Sequence, residues 1–213
     1  MGKIISLANQ KGGSGKTTVA VNLAVLWSNS KYKVAVIDAD KQKSLTNWID
    51  HRKKYYGDTN TGIDQIPYDP SNLIEITKEY KKKYDFIIID SPPSISMDSL
   101  NIVRSSNHVF VPIQPTPIDL LATIPFLDLI NKERKKSTII LNRVLSRVRL
   151  TDAMILRLRY SGANIARSRI SARIAYAETF GKGRGIIDFS ISSAIAKEII
   201  KLGNEIIRKI QNQ

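Results

Sequence analysis

The sequence predicts an α/β fold: a doubly wound, mostly parallel sheet flanked by helices, built as one domain. Three observations carry this expectation. Continuous apolar runs recur along the chain, the pattern of parallel strands buried on both faces. Amphipathic stretches separate them, giving the βαβα order of a doubly wound sheet. The first apolar run, Ile4 to Ala8, passes directly into a glycine-rich stretch, Asn9 to Thr18, that opens a helical run, Val19 to Trp27.

Strands are predicted at Lys3–Ala8, Val34–Asp38, Phe86–Asp90, His108–Ile113 and Ser137–Asn142, with a short one at Ala163–Arg167. Helices are predicted near Lys16–Asn29, Lys43–Tyr55, Ser71–Lys82, Ser96–Ser105, Asp119–Arg134, Thr151–Tyr160 and Ser190–Ile210. Pro92 and Pro93 stop the third strand sharply. Gly57–Pro70 is polar, contains Gly and Pro, and reads as a surface excursion. In the last helix, Ile191, Ile195, Ile199, Leu202, Ile206 and Ile210 fall on one stripe. That stripe is expected to pack on the domain's own sheet.

The 213 residues suit one large domain with a substantial core. No apolar run is long enough to span a membrane. Because the chain opens into a strand, neither a signal peptide nor a preceding DNA-binding domain is expected. Cysteine is absent, which excludes disulfides, thiolate metal sites and iron–sulfur clusters. A cytoplasmic location is the simplest expectation.

The net charge is +14, and it is unevenly spread. From Arg143 to Gln213 there are 14 Lys and Arg against five Asp and Glu. A basic half of this kind attracts polyanions. Arg167, Arg169 and Arg173, with Lys197 and Lys201, are the candidate contacts to DNA phosphates. Arginine suits phosphate through its planar fork. Few aromatics interleave, so binding should be to duplex of any sequence and sensitive to salt.

The glycine-rich stretch reads Asn9-Gln10-Lys11-Gly12-Gly13-Ser14-Gly15-Lys16-Thr17-Thr18. Its glycines let backbone N–H groups close around phosphate oxygens, and the following helix adds oriented donors. Lys16 would reach the terminal phosphates, the Thr17 hydroxyl would bind Mg²⁺, and Gly12 to Thr18 would cradle the nucleotide. The second strand ends in Asp38-Ala39-Asp40, two carboxylates at the edge where a nucleotide would bind. The third ends in Asp90, placed to hold Mg²⁺ through water.

The run KGGSGKTT at 11–18 resembles the deviant Walker A motif of the ParA/MinD superfamily of ATPases. The resemblance implies ATP and ADP as ligands, Mg²⁺ as cofactor, and a homodimer formed with ATP. It makes Lys11 the signature lysine that crosses to the partner's phosphates, a catalytic residue with Lys16 and Asp40. Asp40 would position or activate the attacking water, and Asp38 would support the metal shell. The Asp38–Gln42 segment resembles the family's second motif but has Lys41 where proline is usual. Ser44–Trp48 and the proline-rich Val111–Asp119 are similar to the small ParF-type plasmid-partition ATPases. In that group the proline-rich segment lies near the nucleotide and the dimer interface. The residues alone read equally as a strand, a stiff loop and an N-cap at Asp119. Asn142 and Arg143 stand where relatives often contact adenine, although Asn142 could equally cap a strand end.

On this resemblance the expected function is DNA partitioning. ATP drives dimerisation, the dimer binds nucleoid DNA nonspecifically, and slow hydrolysis is stimulated by a small centromere-binding partner. A MinD-like membrane-cycling ATPase is the alternative, but the last helix has Glu198 and Glu205 on its polar face and lacks Trp and Phe on the apolar one. A metabolic ligase related to dethiobiotin synthetase is disfavoured by Lys11, whose implied role needs a dimer.

Overall fold

The computed structural model describes residues 2–58, 61–145, 155, 156, 158 and 163–211. Seven strands form one parallel sheet: β1 (Lys3–Leu7), β2 (Val34–Asp38), β3 (Ile63–Gln65), β4 (Phe86–Asp90), β5 (His108–Ile113), β6 (Ser137–Val144) and β7 (Ile165–Ser171). Their order is β3-β2-β4-β1-β5-β6-β7. The chain winds outward from β1 in both directions. Register sets Leu7 beside Asp90, and Asp38 beside Asp90. Three site-forming chain segments therefore leave adjacent strand ends on the same edge.

Eight helices carry labels: α1 (Lys16–Asn29), α2 (Ser44–Tyr56), α3 (Leu73–Tyr80), α4 (Met97–Ser105), α5 (Pro117–Lys132), α6 (Ala175–Phe180), α7 (Ile186–Phe189) and α8 (Ala194–Gln211). Alternate strand residues feed opposite layers. Ile5, Leu7, Val36 and Ile88 face the layer of α1, α2 and α8. Ile37, Ile87 and Ile89 face the other side with Leu73 and Ile102. Every residue of α1 from Val19 to Trp27 is buried, because the helix lies between the sheet and α8. At that crossing Gly203 is required: a Cβ there would stand 2.3 Å from Leu26 Cδ2. The last-helix stripe packs inward as expected at Ile199, Leu202, Ile206 and Ile210, while Ile191 precedes the helix and is exposed.

Several expectations need correction. Gly57–Pro70 is not only a surface excursion, since it supplies β3, which pairs with β2 and buries Ile63 and Ile66. A strand of three residues has too little periodicity to read, and its ladder to β2 decides it. The short strand expected at Ala163–Arg167 is a seven-residue strand shifted later. Two short helices, α6 and α7, were not legible. Helix α5 is capped by Thr116, not Asp119: Thr116 Oγ1 accepts from Asp119 N at 3.2 Å, and Pro117 takes the first helical position. Most of the helix expected at Thr151–Tyr160 lies outside the described residues. Ile155, Leu156 and Leu158 are helical.

Two interactions explain how the peripheral layers hold. Among the described residues strand β7 is an edge, with N–H groups that no further strand pairs. Glu205 accepts from Arg167 N and Ser168 N at 2.8 Å each, and Glu198 accepts from Ser171 N at 2.9 Å. The two glutamates thus bind α8 along the open edge. Elsewhere, Arg52 is buried with Asp188 at 2.7 Å. Its guanidinium also donates to Thr61 O and Gly183 O and lies over the Tyr56 ring. One side chain thereby joins α2, the approach to β3 and the loop before α7.

Candidate active site

The phosphate loop leaves β1 and returns as α1. Gly13 and Gly15 have φ of 73° and 92°, the left-handed region that an L side chain rarely adopts. Gly15 has a second reason: an added Cβ would stand 2.0 Å from Asn142 Nδ2. Asn142 donates to Ser14 O at 2.8 Å and accepts from Arg143 N at 2.9 Å. Its amide therefore braces the loop from the end of β6. Arg143, at φ 53°, lines the same cleft.

The proline-rich segment braces the other side. Asn9 Nδ2 donates to Pro112 O at 2.8 Å, and Gln114 Nε2 donates to Gly13 O at 3.2 Å. Lys11 Nζ lies 3.0 Å from Asp119 Oδ2. The segment is a strand end, a loop and a helix cap, and it lies beside the phosphate loop, so both open readings of it stand.

Inside the loop, Lys16 is buried and its ammonium donates to Lys11 O at 3.3 Å. Thr17 Oγ1 donates to Asp90 Oδ2 at 2.6 Å. The other oxygen, Asp90 Oδ1, is buried and has no hydrogen-bond partner among the described residues. Burial pushes the Asp90 carboxyl up to about 7, with Asp38 and Asp40 adding repulsion while Thr17 and Lys16 oppose it. Burial likewise lowers the Lys16 ammonium, against the pull of Asp90 and Asp40. Asp90 and Asp40 thus share one buried lysine, Asp38 adds repulsion on Asp90, and a divalent cation would offset the excess negative charge.

Asp38 is fully engaged. Its Oδ1 accepts from Asp40 N at 3.1 Å, and its Oδ2 accepts from Thr46 N at 2.8 Å and Thr46 Oγ1 at 2.7 Å. Gln65 Nε2 from β3 donates to Thr46 Oγ1 at 2.9 Å. Asp38 therefore satisfies the N-terminus of α2 and fixes the turn that presents Asp40. Asp40 reaches the cleft and accepts from Gln42 N at 3.0 Å.

The cleft measures about 840 Å³ and is bounded by Gly12, Lys16, Thr17, Asp40, Asn142 and the 171–181 segment. This volume suits a nucleotide-sized ligand. The structure brings together Gly12, Gly13, Gly15, Lys16, Thr17, Thr18, Asp40, Asn142 and Arg143 as cleft lining. The DNA candidates separate. Arg173 also lines the nucleotide cleft. Arg167 and Lys201 instead line a second concavity of about 700 Å³ with Asn204, Arg208 and Lys209. Arg169 and Lys197 are exposed on β7 and α8. Sequence reasoning singled out the segments of Asn9, Thr46, Gln114 and Asp119 but gave these residues no part in holding the loop and α2. Their signal was positional at best: Asn9 directly precedes the loop, and Thr46 is the third residue of α2.

Oxygen donors suit magnesium, which is held by few protein ligands and keeps several waters. The Thr17 hydroxyl and the orphaned Asp90 oxygen fit that requirement.

Comparison with known proteins identifies the family. Residues 5–186 match the family described as the CobQ/CobB/MinD/ParA nucleotide binding domain. The maintenance of carboxysome distribution protein A of Halothiobacillus neapolitanus is 26% identical over 210 residues, covering 95% of each chain. The chromosome-partitioning ATPase Soj of Thermus thermophilus is 26% identical over 240 residues, covering 97% of this chain and 96% of Soj. The cell division ATPase MinD of Pyrococcus furiosus shares the fold, with a TM-score of 0.80 at 24% identity, covering 98% of this chain and 99% of MinD. The relatives include a chromosome-partitioning ATPase and a protein of carboxysome distribution, and the shared fold is the parallel P-loop sheet. With more than half its length matched, this chain belongs to the CobQ/CobB/MinD/ParA nucleotide-binding family.

Proposed function

We propose that this chain is a DNA-segregating ATPase that binds Mg·ATP, dimerises on it, binds duplex DNA of any sequence as the dimer, and hydrolyses ATP slowly. The observation that carries the nucleotide reading is the Thr17–Asp90 contact beside buried Lys16, with Asp90 Oδ1 left without a partner. Thr17 and Asp90 would hold Mg²⁺, and the metal would supply charge neutralisation between phosphate oxygens. Lys16 holds the β- and γ-phosphates, and the 12–18 backbone closes around them. Asp40 orients the attacking water. Lys11 releases Asp119 and offsets the charge of the partner's ATP.

The DNA reading rests on the basic C-terminal half. Arg167 and Lys201 share one concavity with Arg208, and Arg169 and Lys197 lie exposed nearby in the sequence. Dimerisation doubles such patches and raises avidity. On this reading, a small DNA-bound protein stimulates hydrolysis, and the ATP dimer sits on the nucleoid. Against the membrane-cycling alternative, Ile199, Leu202, Ile206 and Ile210 are consumed by the core. Among the described residues no helix is long and apolar enough to cross a membrane.

The test is sedimentation with random-sequence DNA in ATP, ADP or no nucleotide, beside calorimetry of ATP binding. Wild type should bind ATP and Lys16→Ala should not. Added ATP should strengthen DNA binding. Equal ATP affinity of the two proteins would remove the nucleotide assignment. Sedimentation with anionic liposomes and not with DNA would replace the segregation reading with the membrane one.

A further inference from the structure

All strands are parallel, so the segments leading into them meet at the sheet edge opposite the nucleotide cleft. Three of these segments, 31–33 before β2, 81–85 before β4 and 133–136 before β6, carry eight Lys and Arg against two carboxylates. The backbone ties the first two together. Gly2 N donates to Lys81 O at 3.2 Å, Lys3 N to Asp85 O at 2.8 Å, and Asp85 N to Lys33 O at 2.8 Å. The third lies at the same end of the sheet: Asn107 N before β5 donates to Ile4 O at 2.8 Å, and Val109 N donates to Lys136 O at 3.0 Å.

Both carboxylates are already engaged. Asp85 Oδ2 accepts from Lys33 N at 2.8 Å, and Glu133 holds Arg104 at 2.8 and 3.1 Å. Lys83 pairs with Glu79 at 3.4 Å, and Lys135 donates to Arg104 O and Ser106 O. Lys31, Lys33, Lys81, Lys82, Arg134 and Lys136 remain without an ion-pair partner among the described residues. A solvated surface usually mixes signs, whereas here like charges converge on one rigid edge.

We propose that this edge binds the phosphate backbone of duplex DNA, without nucleotide and without dimerisation. The dimensions fit. From β2 to β6 the sheet takes four strand steps of about 4.8 Å, or about 19 Å. That spans about five to six base pairs at about 3.4 Å each. Lysines offer point charges without base readout, so binding is independent of sequence. A bilayer is the poorer partner, because a membrane-seated surface buries apolar side chains. The large exposed apolar residue of these three segments is Tyr32, at 38%, and its ring packs edge-on against Phe86. The proposal is independent of the nucleotide reading, because this edge uses none of the cleft residues.

The test is fluorescence anisotropy of nucleotide-free protein on a random-sequence duplex across a salt series. Wild type should bind at low salt. Lys33→Ala/Lys82→Ala/Lys136→Ala should flatten the slope of log affinity against log salt by about 2.7, at about 0.9 per lost contact. All three side chains are exposed, so Tm and ATP affinity should not change. The loss should recur in an Arg167→Ala/Lys201→Ala background, which tests that the two surfaces are separate. The single charge reversal Lys82→Glu supplies a second variant should the triple one unfold, and it should weaken binding in the same assay. No binding by nucleotide-free wild type at low salt, or an unchanged slope in the folded triple variant, would overturn the proposal. So would loss of phosphatidylserine-vesicle binding with DNA binding intact.

Discussion

Lys11 Nζ and Asp119 Oδ2 are 3.0 Å apart, joining the phosphate loop to the first turn of α5. Asp119 is 2% exposed and Lys11 is 32% exposed. Thr116 Oγ1 also donates to the same carboxylate oxygen. The lysine that the family resemblance sends to a partner's phosphates is thus held at home by a buried acid. Asp119→Asn keeps the shape and removes the charge. It should shift ATP-driven dimerisation to lower protein concentration, by a few-fold for a partly exposed pair worth about 1 kcal/mol. Lys11→Ala should hold nucleotide yet stay monomeric. Light scattering with and without ATP checks both, and an equal dimer fraction in all three proteins would refute the latch.

Binding and chemistry should separate at Asp40. Its carboxylate reaches the cleft while Asp38, two residues earlier, is used up in holding α2. Asp40→Ala should therefore bind ATP with near-normal affinity and turn over at least tenfold more slowly. It should accumulate as the ATP dimer. A normal steady-state rate in this variant would remove Asp40 from the reaction. Asp38→Ala should behave differently, losing thermal stability because the α2 N-terminus loses its acceptor, at a cost of about 1 kcal/mol or more.

Arg52 should be a stability residue and not a site residue. Removing it strands Asp188 and two buried carbonyls. Arg52→Ala should cost about 3–5 kcal/mol, the range for breaking a buried pair from one side. Denaturant unfolding of the nucleotide-free protein measures this, and a loss under 1 kcal/mol would show the cluster to be dispensable.

His108 sets a pH dependence. Burial, then the Lys209 and Lys136 charges, lower its imidazole from 6.5 to about 4, while its ring nitrogen meets Thr138 Oγ1 at 2.9 Å. The folded protein binds this proton less readily than the unfolded chain. The stability it contributes is therefore present above pH 6.5 and is lost as pH falls toward 4. Between pH 7 and pH 5 the loss should be about 2 kcal/mol. The Asp90 carboxyl, pushed up to about 7, titrates in the same range, so the comparison is with His108→Gln, whose unfolding free energy should fall less over that interval. Parallel curves for the two proteins would exclude the histidine.

The phosphate loop was legible because its chemistry is local. Glycines, Lys16 and Thr17 are consecutive, and a strand and a helix flank them. The DNA candidates were less so, because charge in sequence does not say which way a side chain faces. Arg167 and Arg173 are six residues apart, yet Arg167 lines the second concavity and Arg173 the nucleotide cleft. Glu198 and Glu205 looked like interruptions of a polar helix face, and they hold the N–H groups of β7.

By itself the sequence determined the central strands and the longer helices, because apolar runs and helical stripes are short-range patterns. It also determined that a phosphate cradle opens α1, since that needs only neighbouring residues. Tertiary structure alone decided the strand order, and with it the meeting of Asp38 and Asp90 across adjacent strands. It decided the existence of β3, whose three residues gain order only from the ladder to β2. It set Lys11 against Asp119, 108 positions away, and gathered the lysines of separate loops onto one edge. The physical reason is common to all of these. Hydrogen-bonded strand register and buried charge pairing are long-range terms that no local window of sequence contains.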